Sequence, residues 1–542
     1  MDRPSWTRSE KLLSAFMYGL NINLSRPTRP YDKEGTYRDL LSALGPEKVS
    51  NSLPVRAVYC RNISTTTAEP IGIPDMVVTP ETQEEVQTIV KVANIYKAPV
   101  TVQGSGTGFP LTICYMGGIL IDTIRMRKIL EINTVADYAV IEPGVTYAEF
   151  NAALREQGYS FPCGCFPPST SVVANCFGTH GIDRTILYPF NALSAQIVLG
   201  NGELLMLGSD TTPDWTQGSP CGPDFLHLFK RSVGTLGIVT RCAVRIFREL
   251  ETKKCLIYGF SSFADQVDFN LEAMRNWLCQ NVFCALWTWP VHQFHRQRMT
   301  NKLPEDTNRR YPTIKPPEGT PYNFSFNTIE GFKENVENRE KILDRLAIRY
   351  NGYRISEEEI EKKWPWINQY VKLHFVEDYP IFLEPYVTSQ GSNYPVYCIV
   401  QGAEVAKAAE KYIVETAHQF EKEHPQWTFN PGYFVLPLDN GRRWFINLLS
   451  WPEDYTEDPQ EWQNMRSETI MTVMSKMLPD LVEKFNSQVG GLPLMMELIA
   501  AASIFSPDTH KLWKEMKKLL DPNDILCPYV MLGIIDKPDE VL

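Results

Sequence analysis

A short strand-like segment that leads straight into a run of glycines constrains the fold of this chain more than any other feature. Residues 99–103 have the sequence PVTVQ, which is rich in β-branched side chains and predicts a strand. Residues 104–108 follow directly with the sequence GSGTG. Glycine lets the backbone turn with positive φ and approach a ligand, and the N–H groups of such a turn can bind anionic oxygens. The G-x-G-x-G spacing matches neither the dinucleotide fingerprint nor a phosphate loop that ends in Lys-Ser/Thr.

Two further segments are rich in small and polar residues. Residues 167–182 have the sequence PPSTSVVANCFGTHGI, and residues 234–239 have the sequence GTLGIV. The hydroxyl and amide side chains of the first can donate several hydrogen bonds along one edge of a polar ligand. The glycines of the second suit close approach of a ligand to the backbone. Each segment, taken alone, could equally be a connecting loop.

Short strands and helices alternate between these segments. Hydrophobic periodicity and turn residues predict strands at 74–80, 99–103, 118–122, 138–142 and 237–246, helices at 81–96, 147–157 and 225–231, and a hairpin that joins 195–199 to 203–207. Thr82 and Glu85 predict a capping box at the start of the first helix. Beyond residue 250 the pattern changes, with helices predicted at 265–280, 331–350, 405–423 and 509–520 and strands at 394–401 and 433–436. We therefore expect a domain boundary near residue 250.

Composition narrows the classes of function. The 542 residues predict two or three domains, and a net charge of −11 argues against a nucleic-acid binder. Met1–Leu24 lacks the apolar core of a signal peptide, and no run of 18 apolar residues predicts a membrane span. We therefore expect a cytoplasmic protein that does not contact a membrane. Cys163, Cys165 and Cys176 lack further ligands at zinc-site spacing, so no metal is expected there.

The order of these segments resembles a known family. The sequences PDMVVTPETQEEV, VQGSGTG, YAVIEPGVTYAEFNAALREQGY, VLGNGELL and GPDFLHLFKRSVGTLGIVT are similar to successive landmarks of the FAD-binding family of vanillyl-alcohol oxidase and p-cresol methylhydroxylase, the PCMH type. The resemblance covers about residues 70–250. It implies an α+β fold in which an FAD-binding domain of two α+β subdomains accompanies an α+β substrate (cap) domain with an antiparallel sheet. The implied organisation is an N-terminal arm at 1–70, the PCMH-type domain at 71–250, the cap at 251–500, and a C-terminal return to the FAD domain at 501–542.

The resemblance also implies the cofactor and the residues around it. The FAD diphosphate would lie against the first glycine segment, the ribityl chain and flavin ring against the second, and the third would contact the cofactor through its backbone. The residues expected to bind FAD are Gln103, Gly104, Ser105, Gly106, Thr107, Gly108, Pro143, Gly144, Pro168, Ser169, Thr170, Val173, Ala174, Gly178, Thr179, Gly181, Ile182, Gly234, Gly237, Ile238 and Val239.

The same resemblance bears on covalent attachment of the flavin. Thr107 stands where the berberine-bridge-like branch carries its linking histidine, so that linkage is not expected. Cys165 lies one residue away from the position of that branch's linking cysteine, which leaves a thioether as an alternative. His418, His424 and Tyr433 of the cap are further candidates that the sequence does not rank. Non-covalent FAD is the expected state.

The substrate is less constrained. Residues 491–506 (GLPLMMELIAAASIFS) lack both the Tyr-Arg pair of the phenol-oxidising branch and the Gly-Glu-His-Gly cluster of the 2-hydroxy-acid branch. Their apolar character favours hydride removal from an aromatic or hydrophobic alcohol or a 4-alkylphenol, although a helix core would have the same composition. The alternatives are a 2-hydroxy-acid dehydrogenase that acts on D-lactate or glycolate, and a non-catalytic flavin-binding subunit.

Three residues are candidates for catalysis. Arg442 and Arg443, in the sequence NGRRWFINLL, could hold a phenolate, a carboxylate or the charge of reduced flavin, or could be two surface arginines after an Asn-Gly turn. His180 could lie near the ring or be a hydrogen-bonded structural histidine. Oxygen, a cytochrome or an electron-transfer flavoprotein would each fit as electron acceptor. The resemblance implies a homodimer.

Overall fold

The computed structural model describes most of the chain in separate stretches. These are residues 29–60, 72–107, 114, 117–162, 168–178, 191–208, 224–230, 232–287, 316, 318–377, 394–425, 431–438, 440–450, 476–485, 488–491 and 507–528, with isolated positions between 460 and 472. The described residues divide into two compact units. Those before residue 250 and after residue 506 form one, here called the glycine unit, and those from 250 to 491 form the other, here called the sheet unit.

A small mixed sheet forms the first half of the glycine unit. Its strands are β1 (Val49–Ser50), β2 (Met76–Val78), β3 (Val100–Gln103) and β4 (Ile119–Asp122), in the order β1-β2-β4-β3. The accompanying helices are α1 (Lys33–Leu44), α2 (Leu53–Val58) and α3 (Gln83–Tyr96). Strands β2 and β3 each pair with β4 in parallel, while β1 pairs with β2 in antiparallel. The parallel strands direct the end of β3, where the glycine run begins, to the same edge as the end of β4.

The predicted capping box of α3 is half formed. The Thr82 hydroxyl accepts a hydrogen bond from the Glu85 N–H at 3.2 Å, as predicted. The Glu85 carboxylate, however, accepts from the Glu81 N–H at 2.7 Å instead of from the N–H of Thr82. A second carboxylate oxygen of Glu85 accepts from Lys48 at 2.6 Å, which fixes the side chain away from the reciprocal position.

An antiparallel sheet forms the second half of the glycine unit. Its strands are β5 (Ile129–Asn133), β6 (Tyr138–Ile141), β8 (Ala192–Val198), β9 (Leu204–Leu207) and β10 (Ile238–Arg245), in the order β5-β6-β10-β8-β9. Strands β7 (Tyr159–Ser160) and β11 (Phe247–Arg248) form a separate ladder, and the helices are α4 (Tyr147–Arg155), α5 (Val172–Gly178) and α6 (Leu226–Phe229). Thr146 and Glu149 form a complete capping box at the start of α4. The hairpin predicted around residue 201 is present as β8 and β9.

Apolar side chains join the two sheets of the glycine unit. Val198 of β8 and Ile238 of β10 belong to the same buried cluster as Ile89 and Val90 of α3 and Val100 of β3. All five are at most 1% exposed. Burial of aliphatic side chains contributes about 1.5–3 kcal/mol each, so the two sheets stabilise each other.

The C-terminal segment completes the glycine unit. Helix α13 (Pro507–Leu520) packs Trp513, Met516 and Leu520 against the apolar cluster of the antiparallel sheet. The chain then extends along β3: the Val100 N–H donates to Ile525 O and the Cys527 N–H donates to Val100 O, both at 2.7 Å. The last described residues therefore add a short parallel bridge to the edge of the mixed sheet.

One large antiparallel sheet dominates the sheet unit. Its strands are β12 (Thr252–Phe260), β13 (Asn281–Leu286), β14 (Asn323–Gly331), β15 (Gly352–Arg354), β16 (Tyr394–Gln401), β17 (Pro431–Leu438), β18 (Arg443–Ser450) and β19 (Gln488–Gly491), in the order β15-β12-β14-β13-β17-β18-β16-β19. Its helices are α7 (Phe263–Arg275), α8 (Lys333–Arg349), α9 (Glu357–Lys363), α10 (Pro365–Tyr370), α11 (Ala403–Glu423) and α12 (Leu478–Phe485), with a π-helical turn at Val371–Val376. None of the helices among these described stretches is long and apolar enough to cross a bilayer.

The helix predicted at 265–280 is shorter than expected. It begins at Phe263, where Ser262 caps it, and ends at Arg275. Trp277 has a φ of 56°, a left-handed conformation that stops the helix and turns the chain towards β13. Apolar periodicity alone did not reveal this stop, because the left-handed residue is neither Gly nor Asn.

Polar side chains are buried between α7 and the large sheet. Asn270 of α7 accepts hydrogen bonds from Ser325 Oγ at 3.0 Å and from Asn327 Nδ2 at 2.8 Å. Its own amide donates to Cys284 Sγ at 3.2 Å. Asn270, Ser325, Asn327 and Cys284 are all fully buried. Such a network costs little while it is complete and much when one member is removed.

Replacement of Asn270 tests that network. We expect N270A to lower the free energy of unfolding by about 2–3 kcal/mol, because it leaves buried donors and acceptors without partners. N276A is the matched control, since Asn276 is an exposed asparagine that caps the same helix. Urea unfolding of both variants measures the effect. Equal midpoints for the two variants would contradict the assigned role of Asn270.

Candidate functional site

The first glycine segment begins at the end of β3. Gly106 has a φ of 67°, a conformation that glycine adopts without strain. The Gln103 side chain folds over it, so a Cβ at Gly106 would lie 2.8 Å from Gln103 Nε2. Thr123, just after β4, donates from its hydroxyl to Gln103 O at 3.2 Å. Residues 102–107 remain partly exposed, as a segment that binds a ligand must be.

Hydroxyl groups join the first segment to the second. Ser105 Oγ lies 3.0 Å from Thr107 Oγ1, which lies 2.9 Å from Thr170 Oγ1. Ser105 Oγ also accepts a hydrogen bond from the Ser171 N–H at 2.9 Å. The three hydroxyls thus form a continuous row beside the glycine backbone. Hydroxyls can rotate to donate or accept, so the row can adjust to the oxygens of a ligand.

Close backbone contact holds the same two segments together. A Cβ at Gly104 would lie 2.7 Å from the Ala174 Cβ and 3.3 Å from the Ser171 Cβ. A separation of 2.7 Å is far below van der Waals contact, so only glycine fits at 104 while α5 keeps its place. The small side chains at 104, 171 and 174 are therefore required by packing as well as suited to a ligand.

Ser171 is the residue that orders this contact, and it is absent from the residues predicted to bind FAD. Its hydroxyl donates to Pro143 O at 2.5 Å and accepts from the Ala174 N–H at 3.0 Å, so it caps the start of α5. Ser171 is 1% exposed. Its position directly before the apolar run Val172-Val173 is the sequence signal of a helix N-cap that could have identified it.

Helix α4 forms hydrogen bonds to the second segment. The Tyr147 N–H donates to Thr170 O at 3.0 Å, and the Ala148 N–H donates to Pro168 O at 3.1 Å. Asn175 Nδ2 donates to the Tyr147 hydroxyl at 2.8 Å. Pro168 and Thr170 are buried while Ser169 is exposed, so these predicted contact residues belong to one ordered turn.

The third segment lies beside the end of β3. Gly234 has a φ of 76°, and a Cβ there would be 3.6 Å from Cys527 Sγ and 3.9 Å from Val102 Cβ. Since Val102 is followed at once by the first glycine segment, Gly234 lies close to that segment's start. All three segments that the sequence singles out therefore meet around residues 102–107.

Packing explains the small size or the burial of several residues that were predicted to contact FAD. A Cβ at Gly237 would lie 2.4 Å from Ile197 Cγ2, and Ile238 is 1% exposed in the core of the unit. A Cβ at Gly144 would lie 2.5–2.9 Å from the carbonyl oxygens of three residues in the turn at 123–126. Val173 is 2% exposed in the cluster behind α5. For these residues a role in FAD binding stays a prediction, as it does for Pro143 and Val239.

None of the three segments contains a charged side chain. Asp122, at the end of β4, accepts from the Tyr59 hydroxyl at 2.8 Å and from the Ile124 N–H at 2.9 Å, and burial raises the pKa of this carboxyl. Burial lowers the pKa of Lys230, and burial raises the pKa of Cys527 to about 11, so that its thiol stays protonated at neutral pH.

Some predicted site residues lie outside the described residues. These are Gly108, Thr179, His180, Gly181 and Ile182, together with Cys163 and Cys165. Gly178 is the last residue of α5. His180 therefore stays a prediction.

The two arginine candidates lie in the sheet unit, at the start of β18. Arg442 is exposed and Arg443 is half-buried. Arg443 Nε is buried and has no hydrogen-bond partner among the residues that the structure describes. Side chains alternate along a strand, so Arg443 and Phe445 share one face of the large sheet, and Trp444 lies on the other. Phe445 pairs with Leu436 and Ile399, and all three are at most 8% exposed.

The geometry around residues 102–107 fits the diphosphate of FAD. The donors are backbone N–H groups of a glycine turn and the row of hydroxyls at Ser105, Thr107 and Thr170, which is the donor set of an uncharged anion-binding turn. Gly106 has a positive φ, which other residues adopt only with strain, and a Cβ there would meet the Gln103 side chain. The open surface of the turn therefore depends on glycine.

Comparison with known proteins supports the same cofactor. Residues 74–208 match a family model described as FAD binding domain. The chain is 29% identical over 245 residues to the probable mitochondrial D-lactate dehydrogenase of Danio rerio, which covers 43% of this chain and 47% of that protein. It is 28% identical over 224 residues to glycolate oxidase subunit GlcD of Bacillus subtilis, with coverage of 40% and 46%. The chain thus matches less than half the length of these relatives.

Solved structures show the fold. The structure of p-cresol methylhydroxylase with substrate bound matches with a TM-score of 0.74 over 92% of this chain and 96% of that chain, at 19% identity. The predicted α+β fold of the PCMH type is therefore confirmed, and the match to the FAD binding domain confirms the predicted cofactor. The two sequence relatives are named as hydroxy-acid enzymes, so the narrower resemblance to vanillyl-alcohol oxidase stays a prediction.

The contact of Gly104 with Ala174 gives a direct test of the cradle. We expect G104A to weaken FAD binding at least about tenfold, because the added methyl forces the first two segments apart. The double variant G104A/A174G should recover most of the affinity, since it removes the methyl that the new Cβ meets at 2.7 Å. Titration of apoprotein with FAD, followed by flavin fluorescence, measures the dissociation constant. An unchanged constant in G104A would contradict the assigned contact.

Proposed function

We propose that this chain is an FAD-dependent oxidoreductase that removes a hydride from a small organic substrate. The observation that carries the proposal is the meeting of the three small-residue segments around residues 102–107 within a stretch that matches an FAD binding domain. The relatives matched by sequence are named dehydrogenases and an oxidase subunit, which supports an enzyme over a non-catalytic flavin-binding subunit.

Different segments of the glycine unit would bind different parts of FAD. The backbone of Gly104–Thr107 and the hydroxyls of Ser105, Thr107 and Thr170 would hold the diphosphate. The ordered turn at 168–171 and the start of α5 would lie along the ribityl chain. Gly234 would allow the cofactor to approach the backbone at the end of β3. When bound, the flavin supplies a two-electron acceptor for the hydride, and the protein supplies orientation and exclusion of water.

An aromatic or hydrophobic alcohol or a 4-alkylphenol is the first candidate substrate. The sheet face that carries Arg443 is otherwise apolar at Phe445, Leu436 and Ile399. An apolar surface with one cation suits a flat, apolar molecule that becomes an anion, such as a phenolate. The fold match to p-cresol methylhydroxylase, which includes most of this chain, is consistent with that class.

A 2-hydroxy acid is the second candidate substrate. The sequence relatives act, by their names, on D-lactate and on glycolate, and Arg443 could bind a carboxylate as well as a phenolate. Residues 491–506 lack the Gly-Glu-His-Gly cluster of the 2-hydroxy-acid branch. If this candidate is correct, other groups of the substrate domain must bind the hydroxy acid.

Anaerobic reduction distinguishes the two candidates. We expect the purified protein to be yellow and its visible flavin absorbance to bleach with 4-ethylphenol or vanillyl alcohol, because hydride transfer reduces the bound flavin. Bleaching with D-lactate or glycolate alone would move the assignment to the hydroxy acids. Dithionite reduction is the control that the flavin is intact. A protein that dithionite reduces but that neither class bleaches would contradict both candidates.

Arg443 and Arg442 form a matched pair of variants. We expect R443M to slow flavin reduction about 100-fold at a fixed low substrate concentration, because the substrate anion loses a half-buried cation. R442M should react at the wild-type rate, since Arg442 is exposed. Stopped-flow absorbance under anaerobic conditions gives both rates. Equal rates for R443M and wild type would remove Arg443 from the proposed site.

Attachment of the flavin is proposed to be non-covalent. Thr107 has no nucleophilic imidazole, and its hydroxyl contacts Ser105 and Thr170. Acid precipitation should therefore release all the FAD into the supernatant, where its absorbance can be measured. Flavin that stays in the pellet would contradict this, and a peptide map would then test Cys165, His418, His424 and Tyr433 as the point of attachment.

The remaining assignments are proposals of the same kind. A homodimer and a cytoplasmic location are kept as expected, although the name of one sequence relative places that protein in mitochondria. Oxygen, a cytochrome or an electron-transfer flavoprotein would accept the electrons. Light scattering of the purified protein and oxygen consumption during turnover would test the dimer and the first acceptor.

A further inference from the structure

One lysine of α13 links two chain-distant parts of the candidate FAD site. Lys517 is 5% exposed, and its ammonium donates to Thr235 O at 2.8 Å, to Asp521 Oδ2 at 2.5 Å and to Leu526 O at 2.6 Å. An ammonium has three N–H donors, and all three are therefore used. Two of the acceptors are backbone carbonyls in different segments, so Lys517 does more than neutralise Asp521.

Asp521, the ion-pair partner of Lys517, binds the backbone of the segment that follows α13. It is 1% exposed, and its carboxylate accepts from the Ile525 N–H at 3.1 Å and from the Leu526 N–H at 2.8 Å. A Cβ at Gly200 would lie 2.4 Å from the Asp521 side chain, so the hairpin turn between β8 and β9 packs directly on it. The carboxylate thereby fixes the path of the chain from α13 to the segment that follows.

The two carbonyls that Lys517 binds lead directly to the glycine segments. Thr235 follows Gly234 in the third segment. Leu526 lies in the stretch that pairs with Val100 of β3, and β3 continues into the first segment. One ammonium therefore connects the third segment to the stretch that pairs with β3, the strand that carries the first segment.

We propose that Lys517 is a positioning residue for FAD. It keeps Gly234–Thr235 and the end of β3 at the separation that the cofactor requires, without touching the cofactor. This rests on the proposed function, because it assumes that FAD lies against these segments. Removing one partner of the buried pair Lys517–Asp521 also destabilises the fold, because it leaves the other charge without compensation. A test must therefore separate affinity for FAD from stability.

The double variant K517M/D521N separates an effect on FAD affinity from an effect on stability. Methionine has the length of the lysine stem without its donors, and asparagine removes the buried charge of Asp521, while its carbonyl can still accept from Leu526. The Asp524 carboxylate also lies 3.5 Å from the Lys517 ammonium, but it is half exposed and water can solvate it in the variant. Loss of the two carbonyl contacts should raise the dissociation constant for FAD at least about tenfold in a variant that still folds. K518M is the matched control, because Lys518 is the exposed neighbour on the same helix.

Three readouts are compared on full-length apoprotein: the melting temperature without FAD, the dissociation constant for FAD, and the emission of the bound flavin. A raised constant with a folded apoprotein supports the positioning role. A wild-type constant in folded K517M/D521N overturns it. Failure of the wild-type protein to bind FAD would instead overturn the proposed function, so the two failures are distinguishable.

Hydrogen exchange of the wild-type protein decides the matter if the double variant does not fold. FAD should slow exchange in residues 103–107, where it binds, and also in 525–527, whose amides are held by Asp521 and Val100. The coupling through Lys517 and Thr235 predicts the second effect, to which the direct pairing of 525–527 with Val100 also contributes. Slowing in 103–107 with no change in 525–527 would overturn the proposal.

Discussion

The close approach of the Gly104 backbone to Ala174 and Ser171 is the constraint on which the candidate site depends. A methyl group at 104 would lie 2.7 Å from the Ala174 methyl, so glycine is required for the loop and helix α5 to meet. Once they meet, Ser105 accepts from the Ser171 N–H, and the hydroxyls of Thr107 and Thr170 come within 2.9 Å. The contact therefore creates both the rigidity and the polar lining of the site.

The site has no charged side chain in its three segments, and this determines how it can bind an anion. Backbone N–H groups and hydroxyls carry only partial charges, so many must point at one place to hold a diphosphate. Such convergence requires exact placement of chain segments that are far apart in sequence. Lys517 and Thr235 are 282 residues apart in sequence, and the hydrogen bond between them joins the C-terminal segment to the third glycine segment. Through this bond the C-terminal segment can help to place the third segment.

The sheet unit offers a different kind of surface. Arg443 shares a sheet face with Phe445, whereas Trp444 on the opposite face is fully buried and donates to Gly441 O at 3.1 Å. Alternation along β18 thus places Trp444, which serves packing, and Arg443, whose Nε has no partner in the described part of the chain, on opposite faces. A half-buried cation on an apolar face binds an anion more strongly than an exposed one, because less water competes for it.

The sequence by itself determined most strands of the glycine unit, its helices α3, α4, α6 and α13, and the three segments, because β-branched runs, capping residues and glycines act locally. The FAD fold was implied by the family resemblance, and local patterns did not reveal β1, β5 or α5. It missed Ser171, although a serine before an apolar run is an N-cap signal, and it missed the helix stop at Trp277, whose residue type does not favour a left-handed conformation. Only the tertiary structure decided that Gly237 and Gly144 serve packing, and that Lys517 joins Thr235 to Leu526. These outcomes depend on which distant backbone atoms come within 3 Å, and no local pattern encodes that distance.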